Sequence, residues 1–160
     1  MVDPMCPSDA EGLRFDQVAT LFHRRLSRAI GVGLRRRGYS LPALSVLGIL
    51  WKGDGLPQNE IARRAGITTP SCSAALAALQ RAGLVHRRRC EHDRRRSEVW
   101  LTERGRAARV PIDAAVGQVL EGALAGTPPD DVARARAVMM TMLGNLDRIE
   151  RRTPDRIAAE

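Results

Sequence analysis

The sequence predicts a mainly α-helical chain with a two-stranded β-hairpin, an α+β arrangement. Three observations predict it. Apolar residues recur at helical spacing over long stretches near both ends. Between them, two short helical patterns are separated only by Gly66-Ile67. Directly afterwards, Gly83-Leu84-Val85 and Val99-Trp100-Leu101 flank the polar run Arg87–Arg96, the pattern of two short strands around a charged tip.

The first helix is predicted from Leu13 to Arg36, with Leu13, Val18, Leu21, Phe22, Leu26, Ile30 and Leu34 on one face, and Gly38 ends it. Leu41-Pro42 opens the second helix, because proline fits a first turn, where its missing N–H has no partner to lose. Leu44, Leu47, Ile49, Leu50 and Trp51 carry that helix, and Gly53-Asp54-Gly55 makes a turn. Pro57 opens a short third helix closed by Gly66. Thr68-Thr69-Pro70 starts the fourth, which buries Cys72, Ala75, Leu76 and Leu79 and stops at Gly83. After the hairpin, Thr102-Glu103-Arg104-Gly105 restarts helix to about Leu124, with a kink expected near Pro111. Thr127-Pro128-Pro129-Asp130-Asp131 caps a last helix to about Arg151. Residues 1–11 read as an N-terminal tail, 12–151 as one domain and 152–160 as a frayed end.

Composition narrows the function. The formal net charge is +8, with 26 basic against 18 acidic residues, and an anionic partner follows, nucleic acid being the commonest. Only Lys52 among the basic residues is lysine, an excess of arginine that codon bias also explains. There is no apolar run of about 18 residues to span a bilayer, and no basic, apolar leader at the N-terminus. Three widely spaced cysteines, Cys6, Cys72 and Cys90, make no disulfide framework, and a cytoplasmic location is expected. No glycine-rich phosphate loop, carboxylate pair or serine–histidine set suggests an enzyme. His86, Cys90 and His92 across a hairpin make a poor zinc set, and no metal or cofactor is expected.

Two short helices followed at once by a hairpin form a winged helix-turn-helix, whose second helix enters the DNA major groove N-terminal end first. At this point the sequence resembles the MarR family of bacterial transcriptional regulators over residues 13–150. The resemblance is carried by SLPALSVLGIL (Ser40–Leu50), LPQNEIARRAGIT (Leu56–Thr68), LQRAGLVHRR (Leu79–Arg88) and DRRRSEVWLTERG (Asp93–Gly105). The last is the most specific, fitting the family wing pattern Asp-x-Arg, a short strand, then Leu-Thr-x-x-Gly. It implies a homodimeric repressor on palindromic double-stranded DNA, released by a small aromatic effector or an oxidant.

On the recognition helix, Thr69, Ser71 and Ser73 are the candidate DNA contacts, small donors able to reach phosphates or base edges. Ser73 stands where the family usually has threonine. Ala74, Ala77 and Ala78 replace polar types, so specificity leans on DNA shape and on the wing. In the wing, Arg95 matches the family arginine that enters the minor groove, and Asp93 matches the carboxylate that orients it. Arg94 and Arg96 flank it on phosphates, and Arg88 and Arg89 are further candidates. Strand alternation puts Arg87 on the face of Val85, at the position of a structural ion pair near the wing base.

Residues 40–102 thus make the DNA-binding head, and helices at about 13–37 and 103–151 a dimerisation region. Val132, Val138, Met139, Met142, Leu143, Leu146 and Ile149 form an apolar stripe on the last helix, as Leu13, Val18, Leu21 and Phe22 do on the first. Two such stripes are easiest to bury against a second copy, and two-fold symmetry suits a palindrome. Family effectors bind between these helices and the head. His23, Tyr39, Trp51 and Trp100 are the candidate lining residues, although simple packing is the better account of each. Two other functions stay open: a winged-helix module for RNA or an acidic protein, and a thiol-based redox sensor.

Overall fold

The computed structural model describes residues 12–89 and 97–152. They fall into two compact units, one ending at Leu120 and the other beginning at Glu121. The predicted tip residues Asp93, Arg94, Arg95 and Arg96, together with Cys6, Cys90 and His92, lie outside the described residues.

Helix α1 spans Phe15–Arg35, with the Gln17 side chain accepting from the Arg14 backbone N–H at its start (2.9 Å). Only Gly31 and Leu34 on it are buried. Helix α2, Leu41–Leu50, is apolar almost throughout and buries Ala43, Val46, Leu47 and Leu50, as a central helix must. Ser40 caps it, accepting from Ala43 N–H, and Pro42 sits in its first turn. Helix α3, Gln58–Ala65, ends on Gly66, whose φ of +62° is a left-handed conformation that glycine adopts without strain. Helix α4, Thr69–Arg81, is capped by Thr68 and buries the predicted four, Cys72, Ala75, Leu76 and Leu79.

The hairpin pairs β2, Val85–Arg89, antiparallel to β3, Ser97–Leu101, in the register Val85↔Leu101 and Arg89↔Ser97. The expectation of two strands needs one correction. A two-residue strand β1, Leu56–Pro57, pairs with the other edge of β3, so the sheet has three strands in the order β1-β3-β2. Two residues carry no periodicity, and a proline is tolerated here because β1 is an edge strand.

Helix is resumed by α5, Glu103–Ala107, and α6, Arg109–Ala123. The discontinuity falls at Ala108, slightly ahead of the expected kink. Pro111 has no N–H for the Ala107 carbonyl and its ring crowds that group, so the break appears one turn earlier. The core of this unit gathers Leu34, Leu47, Leu50, Ile61, Leu76, Val99 and Ile112, all essentially inaccessible.

The second unit is dominated by α7, Pro129–Arg152. Its apolar residues are uncovered in the single chain: Leu143 is 55% exposed and Ile149 60%. Val132 and Met142 of the predicted stripe are half-buried. Among the described residues no helix is long and apolar enough to cross a membrane.

Candidate nucleic-acid interface

Helix α4 presents its first turns outward because its buried stripe fixes the rotation. Thr69 and Ser73 are exposed, as are Ala74, Ala77 and Ala78. Ser71 is half-buried and belongs to the cap: its N–H donates to Thr68 Oγ1 (3.4 Å), and the Thr68 hydroxyl donates to Ser71 Oγ (2.9 Å). Ser71 therefore holds the helix start, while Thr69 and Ser73 stand free of such bonds on the exposed face.

Contacts made by four residues, Thr102, Asp54, Gly55 and Trp100, fasten the wing to the head. Thr102 caps α5 by accepting from Gly105 N–H (3.0 Å), and its hydroxyl donates to the Gly83 carbonyl (2.7 Å). Asp54 accepts from Leu101 N–H (3.1 Å) and pairs with Arg106 (3.0 Å). Gly55 N–H donates to the Val99 carbonyl (2.9 Å). Trp100 lies against Gly55 so closely that a Cβ there would stand 2.7 Å from its ring. The Leu-Thr-x-x-Gly pattern is explained by the same geometry: Leu101 is buried, Thr102 caps, and Gly105 packs directly under the Leu84 carbonyl, where any side chain collides.

The two faces of β2 hold different cations. Arg87 reaches α3, its guanidinium donating to Gln58 Oε1 (2.7 Å). The expected ion pair is thus a hydrogen bond to a neutral amide, made across 29 positions of sequence. Arg88 turns the other way and lies over the Trp100 ring, 5.8 Å from its centroid. Arg89 is exposed. Around Arg87 is an open cleft of about 510 Å3 lined by Pro57, Gln58, Asn59, Glu60, Arg87 and Ser97. The Glu60 carboxylate there is held by Arg63 (2.6 Å) and Arg64 (2.5 Å), which lower its pKa to about 2.

Cys72 is fully buried, with its thiol 3.7 Å from the Gln58 carbonyl. Burial pushes the thiol pKa up from its ordinary value, against a smaller downward pull from Arg87. A thiol so placed is poorly nucleophilic.

The four candidate ligand residues are not gathered into one site. Trp51 Nε1 donates to the Gly105 carbonyl (2.9 Å), pinning the end of α2 to α5. Trp100 packs on Gly55 and under Arg88. His23 is exposed on α1. Tyr39 lines a cavity of about 380 Å3, together with Arg35, Ser40, Ala43, Ala78 and Leu79. Sequence reasoning missed Gln58, Asp54 and Gly55. The only signal available was the Gly53-Asp54-Gly55 turn, which marks a bend without naming what it grips.

Residues 37–96 match the model of the MarR family. Over 72 residues, 45% of this chain, the sequence is 32% identical to the HTH-type transcriptional regulator TtmR of Methylorubrum extorquens (strain PA1). That match spans 37% of the relative's length. The fold is similar to a MarR transcriptional regulator from Methanosarcina mazei Go1, with a TM-score of 0.76 and 22% identity over 84% of this chain and 96% of that one. It is also similar to the Staphylococcus aureus regulator MepR in a complex with DNA, with a TM-score of 0.70 and 21% identity over 83% of this chain and 98% of that one.

Proposed function

We propose that this chain, whose residues 37–96 match the MarR family model, is a transcriptional repressor that binds double-stranded DNA as a homodimer. The palindromic operator is read by α4 and the wing, and a small-molecule effector releases it. The observation that carries this reading is the joint exposure of the N-terminal half of α4 and of the basic strand beside it. Thr69 and Ser73 are open, Arg87 and Arg89 are open, and the wing that bears them is fixed to the head by contacts of Thr102, Asp54, Gly55 and Trp100. A rigid head suits DNA docking, since phosphate contacts fix register only if the donors keep their spacing. The likeness of the fold to MepR, whose structure was solved with DNA, supports the same reading.

In this reading Arg95 enters the minor groove with Asp93 orienting it, and Arg94 and Arg96 contact phosphates. Thr69, Ser71 and Ser73 approach the major groove. Dimerisation is supported by the uncovered faces of α1 and α7. Phe15, Val18 and Phe22 on one, and Val138, Met139, Leu143, Leu146 and Ile149 on the other, are all exposed in the single chain. Apolar exposure of this kind along a helix face marks an interaction surface.

Sequencing genomic fragments retained by the purified protein tests the reading. The expected result is enrichment of a few inverted repeats at 150 mM salt. Uniform recovery of fragments, or recovery of RNA in preference to duplex, refutes it.

A further inference from the structure

Resting on the DNA-binding reading, we propose that Arg87, seated on Gln58, is a phosphate-contacting residue at the base of the wing, and that Arg88 beside it is not. The strand alternation sends the two side chains to opposite faces of the sheet. Arg87 shares the face of Val85, which is buried against the helix-turn-helix. Its guanidinium donates to Gln58 Oε1 at 2.7 Å, and Gln58 is the first residue of α3. The Gln58 carbonyl in turn lies 3.7 Å from the thiol of Cys72, a residue in the first turns of α4. A continuous chain of contacts therefore sets Arg87 beside the N-terminal half of the recognition helix, the half that enters the groove.

The surroundings fit a phosphate. Arg87 borders the open cleft of about 510 Å3 at the start of α3. Among the described residues the one carboxylate lining that cleft, Glu60, is already engaged by Arg63 and Arg64. Gln58 spends its side-chain amide oxygen on Arg87, which restrains the guanidinium and leaves charge-bearing N–H donors over. A pre-oriented guanidinium loses less freedom on meeting a phosphate than a free one does. Arg88 is placed on the opposite face, over Trp100, whose ring is wedged against Gly55.

The test uses the full chain and a fluorescein-labelled duplex of mixed sequence, about 24 base pairs long, titrated at several salt concentrations. Each phosphate neutralised contributes about 0.9 to the slope of log affinity against log salt. With one contact per protomer of a dimer, Arg87→Gln flattens the slope by about 1.8, while Arg88→Gln leaves it at the wild-type value. Gln58→Ala separates charge from scaffold: it removes the same hydrogen bond, keeps the cation, and retains the wild-type slope. A wild-type slope in Arg87→Gln overturns the proposal. So does an equal flattening in Gln58→Ala or in Arg88→Gln. Failure of the wild-type protein to bind the duplex at all refutes the DNA-binding reading instead, so the two failures are distinct. Should Arg87→Gln melt below the assay temperature, Arg87→Met, which removes the charge and keeps the apolar stem, decides: a slope flattened by about 1.8 is expected, and a wild-type slope overturns the proposal.

Discussion

Gly105→Ala sets two physical effects against each other, and the structure decides the sign. Gly105 is a helical residue of α5, and by intrinsic preference alanine is favoured there by about 1 kcal/mol. Its surroundings oppose this. A Cβ at Gly105 falls well inside 3.0 Å of the Leu84 carbonyl oxygen, and stands 3.0 Å from both the Leu84 carbonyl carbon and Leu101 Cδ2. That oxygen accepts from Thr102 N–H (3.0 Å), and Leu84 and Leu101 are both buried, so the neighbours that must yield are backbone and core. Gly105 has little room to retreat, because its N–H is held by Thr102 and its carbonyl by Trp51. Overpacking of this kind costs about 1–3 kcal/mol. Loss of the Thr102–Leu84 hydrogen bond adds about 1 kcal/mol, which offsets the helical gain. The net expectation is destabilisation by about 1–3 kcal/mol, a Tm lower by about 2–12 °C for a chain of this size. Gly117→Ala in α6 is the matched control, since nothing lies within 4 Å of its Cβ position. It is expected to raise Tm by about 1–4 °C. Both are read by circular dichroism melting at one protein concentration, because self-association shifts Tm by mass action. A Gly105→Ala protein melting at or above the wild type refutes the close-packing argument.

Three further expectations rest on burial and charge in the same fold. In a Cys6→Ser/Cys90→Ser background, Cys72 should react with Ellman's reagent at pH 8 only on unfolding, since burial both shields the thiol and raises its pKa; rapid reaction of the folded protein contradicts this. Leu143→Asp in α7 should shift the sedimentation mass from dimer to monomer without loss of helical signal, because a carboxylate replaces an exposed apolar contact; an unchanged dimer mass places the interface elsewhere. Glu60→Gln should narrow its Tm deficit as the pH is lowered. The folded-state pKa of Glu60 lies near 2 against an ordinary 4.5, held down first by Arg63 and then by Arg64, so its stabilisation is full above about 4.5 and is lost as pH falls towards about 2. A deficit that stays constant from pH 7 to pH 2.5 contradicts the ion-pair assignment.

The long helices were legible because their periodicity is a local signal, and their ends because Ser40, Thr68 and Thr102 cap while Gly38, Gly66 and Gly83 stop. The recognition-helix core was legible for the same reason: the spacing of Cys72, Ala75, Leu76 and Leu79 selects one face. Strand β1 was not legible, because two residues carry no period and pair only when β3 arrives from 40 positions downstream. The ligand candidates were chosen for residue type, yet Trp51 is bound to a backbone carbonyl in α5 and Trp100 is wedged on a glycine, contacts with no local sequence signature.

The wing strand shows where the two sources of information divide. Three successive arginines, Arg87, Arg88 and Arg89, are alike as sequence, and alternation alone separates them into two faces. The sequence by itself determined the helices, the winged head, the cationic hairpin and the family resemblance, because each rests on spacing and local chemistry. Which arginine meets Gln58 and which lies over Trp100 was decided only in the fold, where the side chain of Gln58 in α3 meets Arg87 and the ring of Trp100 meets Arg88. The same packing turned Gly105 from a weak helix former into a residue its neighbours require, since only the folded chain brings the Leu84 carbonyl against it.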